Sequence, residues 1–116
     1  MSLMGRWRIA EVDLWDLEDI DLMGPAFIEF GRDRTGHFQF VAVEGWMDCR
    51  PGPTGEHPRV EFTWEGDDEG DRASGRGWAT LERDGSLRGH VYFHLGDDSA
   101  FRAVRAAEKG ESKAPG

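Results

Sequence analysis

Apolar and polar side chains alternate along most of this chain with a period near two residues, and glycine-rich breaks separate the alternating segments. The segment from Arg59 to Glu65 is an example, since Val60, Phe62 and Trp64 alternate with polar residues. Such alternation is typical of antiparallel strands with one buried face. We therefore predict an all-β fold, an antiparallel up-and-down β-barrel or strongly curved sheet of seven to eight strands.

The spacing of apolar residues changes after the first predicted strand, Gly5 to Val12. Asp13 can cap a short helix because its carboxylate accepts backbone N–H groups of the first turn, and Gly24-Pro25 would end that helix. Apolar contacts would come from Leu14, Trp15, Leu17 and Ile20. We predict one short helical segment, from Asp13 to Met23, that covers one end of the barrel.

Two hairpins can be aligned from the apolar pattern. In the first, Ala26 to Phe30 pairs with His37 to Val43, with Phe30 opposite Phe38. Beyond Glu44-Gly45 the apolar positions change from even to odd numbers, which predicts a β-bulge in one long, bent strand.

The second hairpin joins Gly75–Glu82 to Ser86–Leu95. A three-residue loop with Gly85 in the left-handed conformation places Leu81 opposite Leu87, and this register separates apolar from polar side chains. The polar face of this hairpin then carries Arg76, Trp78, Thr80, Arg88, His90, Tyr92 and His94.

The 116 residues suit one domain. Because Met4 is a second methionine, we interpret residues 1–3 as a cloning scar, residues 4–105 as the domain and residues 106–116 as a polar tail. The single cysteine, Cys49, cannot form an internal disulfide, and no secretory or membrane-spanning segment is evident, so a cytoplasmic location is expected.

The chain has 23 acidic residues against 14 Lys and Arg, a formal net charge of −9 at pH 7. This charge repels phosphates, so we expect neither nucleic acid nor a membrane surface as a partner. A cationic partner or a metal ion is compatible with it.

The run Gly5-Arg6-Trp7 resembles the Gly-x-Trp motif of lipocalins and fatty-acid-binding proteins, the calycin barrels. The resemblance implies that Trp7 closes one barrel end beneath a basic residue near the last strand, for which Arg102 and Arg105 are the candidates. Three further runs resemble a family of small bacterial proteins with no assigned function, which implies no activity; they are Trp64 to Glu69, Ser74 to Trp78 and His94 to Phe101.

Six residues are the candidates for binding a ligand: Trp78, His90, Tyr92, His94, Arg76 and Trp64. The aromatic and polar face of the second hairpin could stack on a planar ligand if it lines a concavity. The alternative is a solvent-facing barrel exterior, because strands of small barrels point side chains alternately inward and outward.

Five acids are candidate metal ligands: Asp67, Glu69, Asp71, Asp97 and Asp98. Alternating connections would place the turn at Gly31–Gly36, the acidic loop and the Gly96–Asp98 turn at one barrel end. Ca²⁺ takes about six or more oxygen ligands, which this end could supply. The alternative is that these carboxylates bond their own backbone and pair with Arg32, Arg34, Arg72 and Arg76.

The sequence indicates no catalytic nucleophile, since Cys49 lies at a position of its strand that is predicted to be buried. It also indicates no particular cofactor. Two function classes remain open. One is a small-molecule-binding barrel for a planar or apolar ligand; the other is an acidic interaction module for a basic protein partner. An interior volume of roughly 300 Å³ or more would favour the first, and its absence would favour the second.

Overall fold

A computed structural model describes residues 3–13, 17–52 and 58–106. Eight strands form a closed barrel in which each strand pairs antiparallel with the next, and the last pairs with the first. The strands are β1 (Gly5–Val12), β2 (Phe27–Phe30), β3 (Thr35–Phe40), β4 (Val43–Pro51), β5 (Arg59–Asp68), β6 (Asp71–Leu81), β7 (Leu87–Phe93) and β8 (Asp98–Arg105). The predicted class, an antiparallel up-and-down barrel of calycin-like type, is confirmed.

Every strand turns alternate side chains into a packed interior. The largest fully buried side chains include Trp7, Phe38, Ile28 and Leu87. Among the described residues, the space enclosed beside Ile28 and Phe38 measures about 10 Å³, which holds no more than about one water molecule. Side chains therefore fill the barrel where a lipid carrier would have its cavity.

Trp7 lies at one end of the barrel and is completely buried. Its Nε1 donates to the Leu3 carbonyl oxygen at 2.9 Å, and the Arg105 guanidinium lies 3.9 Å from the ring centroid. Arg105 is thus the basic residue that packs on Trp7. Arg102 points outward, with Nη2 3.5 Å from a carboxylate oxygen of Asp84.

The predicted long, bent strand with a bulge near Glu44-Gly45 is wrong. β3 and β4 are separate strands joined by a turn at Val41-Ala42, where Val41 has a left-handed φ of 55°. Phe40 and Val43 are paired across this turn, and both are buried. A two-residue reversal changes the parity of the buried positions just as a bulge does, so the apolar pattern cannot distinguish them.

The register of the first hairpin differs from the prediction by two residues. Ile28, rather than Phe30, lies opposite Phe38, because β3 begins at Thr35 and the loop is shorter. The Gly31 N–H donates to the Thr35 carbonyl oxygen at 2.8 Å and closes this loop. A slip of two residues keeps every side chain on its original face, so hydrophobic alternation does not determine it.

The second hairpin agrees with the prediction. Leu81 pairs with Leu87 and Gly77 with Val91, and Gly85 has a left-handed φ of 89°. Here the turn chemistry and the segregation of apolar side chains favour the same register.

Between β1 and β2 the structure describes one helical turn, α1 (Leu17–Ile20), in place of the predicted segment from Asp13 to Met23. Asp13 continues the strand ladder, since its N–H donates to the Ala100 carbonyl oxygen at 3.1 Å. Leu14 and Trp15 lie outside the described residues, as do residues 107–116 of the predicted tail. In the part of the chain that the structure describes, no helix is long and apolar enough to cross a membrane.

Candidate functional site

The extra turn at Val41-Ala42 redistributes the loops between the two barrel ends. The β5–β6 turn at Glu69-Gly70 lies beside it, since the Glu69 N–H donates to the Ala42 carbonyl oxygen at 3.1 Å. The turn before β8 shares this end, as predicted, because connections alternate between ends. The β2–β3 loop, which carries Arg32 and Arg34, lies at the opposite end, so its predicted position beside the acidic loop is wrong.

The five candidate metal ligands do not converge. Among the described residues, no three His, Cys, Asp or Glu side chains are arranged to hold a metal ion. Asp98 instead places Oδ2 2.6 Å from Nε2 of His90. The structure therefore does not bring Asp67, Glu69, Asp71, Asp97 and Asp98 together as a ligand set.

The predicted ligand face points out of the barrel. Trp78 pairs with His90, and Arg76 pairs with Tyr92, as predicted, on the phase opposite the buried Ala79 and Val91. The three rings form what we call the Trp78 ladder: Trp78, His90 and Tyr92, with centroid separations of 6.5 and 4.6 Å.

Arginines of the protein itself cover the Trp78 ladder. The guanidinium carbons of Arg59 and Arg88 lie 4.4 and 5.3 Å from the centroid of Trp78. Arg76 lies 4.4 Å from the centroid of Tyr92. These cations occupy the ring faces on which an external planar ligand would stack.

A second group of outward rings lies across the first strands of the barrel. We call it the Trp46 ladder: Phe27, His37 and Trp46. Phe27 meets His37 edge-on at 5.2 Å, and His37 stacks on Trp46 at 5.0 Å with an interplanar angle of 16°. Arg6 covers Phe27 at 3.9 Å. Trp46 is 50% exposed, and within the described residues its ring has no aromatic or cationic partner besides His37.

Three carboxylates surround Trp46. Glu44 and Asp48 flank it on the outer face of β4, and Glu65 lies opposite it on β5. Glu44 Oε2 is 2.8 Å from Nε2 of His37, and Asp48 Oδ1 accepts from Arg50 Nη1 at 2.8 Å. Glu65 is exposed and has no ion-pair or hydrogen-bond partner for its side chain among the described residues.

An open groove of about 1230 Å³ crosses the outer wall from β2 to β7, with Trp46 on its lining. Two successive outward rows supply most of the lining. One row contains Glu29, His37, Trp46, Glu65 and Ser74, and the other contains Thr35, Asp48, Thr63, Arg76 and Tyr92. The groove therefore combines aromatic surface with both signs of charge.

Two glycines allow neighbouring strands to approach closely along this wall. A Cβ at Gly75 would collide with the carbonyl oxygen of Tyr92, and a Cβ at Gly66 would collide with that of Glu44. Only glycine fits such approaches without moving the neighbouring strand. The glycines of the alternating segments thus shape the wall that carries the groove.

No family model, curated protein or solved structure matches this chain. The resemblance to the small bacterial family therefore stays a prediction, and the function has to be inferred from the geometry.

Four of the six predicted ligand residues line the groove: Tyr92, His94, Arg76 and Trp64. Trp78 and His90 are not part of its lining. Trp64 is only 3% exposed, and it packs edge-on against Phe38 and Phe93, so its ring belongs mainly to the core.

Trp46 is not among the ligand residues that the sequence predicts. A signal for it was present, since Trp46 is an aromatic residue in the polar phase between two acids, Glu44 and Asp48. Exposed apolar surface that forms part of a groove is a candidate for recognition.

Cys49 is a buried thiol, as its position in the apolar phase predicted. Burial, together with the neighbouring Asp48 carboxylate, raises the pKa of Cys49 to about 11, and Arg50 opposes this with a smaller effect. At neutral pH the group is protonated, and the thiol is the less nucleophilic form.

Proposed function

We propose that this chain is a non-catalytic binding protein whose ligand site is the groove on the outer wall. The observation that supports this most strongly is the groove itself, about 1230 Å³ in volume and lined by the half-exposed ring of Trp46. Small-molecule sites typically occupy about 300–1000 Å³ and combine aromatic walls with a few polar groups. The groove is somewhat larger than this range and combines an aromatic wall with polar and charged groups, whereas the enclosed space inside the barrel is far below the range.

The interior and the groove differ by about two orders of magnitude in free volume, about 10 against 1230 Å³. A ligand inside the barrel would have to displace side chains such as Phe38 and Phe101. A ligand in the groove needs no such rearrangement, which favours binding because little ordering or repacking has to accompany it. We propose the cytoplasm as its location, in keeping with a lone, buried Cys49.

The test is a screen of planar metabolites, with cationic rings as well as haem and flavins among them, by quenching of tryptophan fluorescence. We expect saturable quenching by at least one compound in the wild type and in Trp78→Ala, and loss of that quenching in Trp46→Ala. Trp78→Ala is the matched control because both tryptophans lie on the outer wall. Quenching lost only in Trp78→Ala, or no quenching by any compound, would overturn the proposal.

An acidic interaction module is the second candidate, and it is favoured because the space that the described residues enclose inside the barrel, about 10 Å³, is too small for a ligand. Among the described residues, the side chains of Asp67, Asp68 and Asp71 form no ion pair with the nearby arginines and have no hydrogen-bond partner. Leu95, at the same barrel end, is 95% exposed and holds a left-handed φ of 59°. Saturable, salt-sensitive binding of a lysine decapeptide that Asp67→Asn/Asp68→Asn abolishes would support this candidate, and unchanged binding by that variant would exclude it.

A further inference from the structure

We propose that the groove takes a small organic cation, which binds on the open face of Trp46 and against the carboxylate of Glu65. This inference rests on the proposed function of the groove as a binding site, and it adds the charge and position of the ligand. It follows from comparing the surroundings of two tryptophans in the same barrel.

Trp46 and Trp78 have the same kinds of cross-strand neighbours. Trp46 lies between His37 on one side and Glu65 on the other. Trp78 lies between His90 on one side and Glu61 on the other. In both cases the histidine ring stacks on the indole, with interplanar angles of 16° and 20°.

At Trp78 the protein supplies its own cation. The Arg59 guanidinium lies 4.4 Å from the indole centroid, and its Nε is 3.5 Å from Oε2 of Glu61. The cation thus contacts both the electron-rich ring face and the carboxylate opposite Trp78, an arrangement that stabilises positive charge in two ways. The contact of Arg59 with Trp78 and Glu61 thus shows, within the same molecule, the kind of ligand that Trp46 and Glu65 could bind.

At Trp46 the ring and the carboxylate are present, but within the described residues no arginine or lysine covers the ring. Glu44 and Asp48 already contact His37 and Arg50, whereas Glu65, which lies opposite Trp46 on β5, forms no ion pair among the described residues. An anionic ligand would be repelled by Glu65 and by the net charge of −9, and a neutral ligand would gain nothing from either. A cation is therefore the complementary ligand.

The probes are N-methylquinolinium, a planar cation, and quinoline, a neutral ring of nearly the same shape at pH 7.5. Binding is measured by calorimetry and by tryptophan quenching. The cation should bind about tenfold more tightly than quinoline, the range expected for a cation on a partly desolvated indole. Glu65→Gln should weaken binding of the cation by about threefold, as expected for an exposed ion pair, and leave quinoline unchanged.

Glu61→Gln is the matched control, because Glu61 occupies on β5 the position opposite Trp78 that Glu65 occupies opposite Trp46. It should leave both affinities unchanged. Circular dichroism checks that both variants fold. A peptide with one central arginine, acetylated and amidated, distinguishes a free small cation from a protein side chain; tighter binding of the peptide than of N-methylquinolinium would overturn the small-molecule assignment.

These experiments distinguish failure of the cation inference from failure of the proposed function. Equal affinities for the two probes, with binding still lost in Trp46→Ala, would overturn the cation inference and leave the groove as the binding site. An unchanged cation affinity in Glu65→Gln would also overturn it. Absence of binding by both probes, together with a negative metabolite screen, would overturn the proposed function as well.

Discussion

The Trp46 ladder and the Trp78 ladder lie on the same outer wall and differ in what covers their tryptophans. Each contains three rings with a histidine in the middle, and each of these histidines contacts a carboxylate, at 2.8 Å in one ladder and 2.6 Å in the other. Arg59 and Arg88 cover Trp78, whereas no arginine among the described residues covers Trp46.

An outward aromatic surface is thus available to a ligand only where the protein's own cations do not reach it. The Trp78 ladder contains the more conspicuous residues in the sequence, yet its ring faces are occupied by intramolecular contacts that contribute to stability. The Trp46 ladder ends in an unoccupied ring face on a groove. We therefore propose that the Trp78 ladder serves chiefly stability and that the Trp46 ladder serves binding.

Trp7 is fully buried, so its substitution gives the largest expected loss of stability in this comparison. Trp7→Ala should lower the free energy of unfolding by about 3 to 5 kcal/mol, because the whole ring is buried and its removal leaves a cavity under Arg105. Urea denaturation measures the change, and Trp7→Phe, which keeps an aromatic ring, should lose less. A loss below about 1 kcal/mol would contradict the role of Trp7 in closing this end of the barrel.

Trp78→Ala should have an intermediate effect on stability, about 1 to 2 kcal/mol. The substitution removes the partner of two arginines and part of the stacking on His90. The same urea titration measures it, with Arg88→Ala as a partial version that should cost less. If Trp78→Ala is as stable as the wild type, the arginine cover has no stabilising role and the contrast between the ladders disappears.

Trp46→Ala should change the free energy of unfolding by no more than about 0.5 kcal/mol, as is usual for an exposed surface position. Its thermal and urea transitions should overlay those of the wild type, although it no longer binds the quinolinium probe. A stability loss as large as that of Trp78→Ala would indicate that Trp46 is a structural residue.

Calcium should have the smallest effect, since the five acidic candidates do not form a ligand set. The melting temperature in excess calcium should equal that in chelator, because an ion stabilises a fold only by binding to it. A reproducible rise with calcium, abolished by Asp67→Asn, would show that the acidic loop binds a metal ion.

Much of the fold can be predicted from the sequence, because the alternation of apolar residues and the residues typical of turns indicate the same strand boundaries along most of the chain. They disagreed at Val41-Ala42, where a tight turn is made by two residues that rarely signal one, and Val41 takes a left-handed φ of 55°. Without this turn, β3 and β4 are predicted as one strand, and the loop with Arg32 and Arg34 is predicted at the wrong end of the barrel.

The candidate site could be predicted only in part from the sequence. Alternation predicts that Trp78 and His90 share a face, but it does not show which face is interior when both carry aromatic residues. The cover on Trp78 depends on Arg59, which lies on the neighbouring strand and reaches the indole only in the observed register. The open face of Trp46 likewise becomes visible only once every neighbouring cation has been placed.

The most direct test of the division between the two ladders follows the indole N–H signals in a ¹H–¹⁵N correlation spectrum during titration with N-methylquinolinium. The chain has five tryptophans, and single Trp→Phe variants assign their indole signals. We predict a saturable shift of the Trp46 signal, with the signals of Trp78 and the buried Trp7 unchanged. A shift centred on Trp78, or saturation with no change at Trp46, would contradict the assignment of binding to the Trp46 ladder.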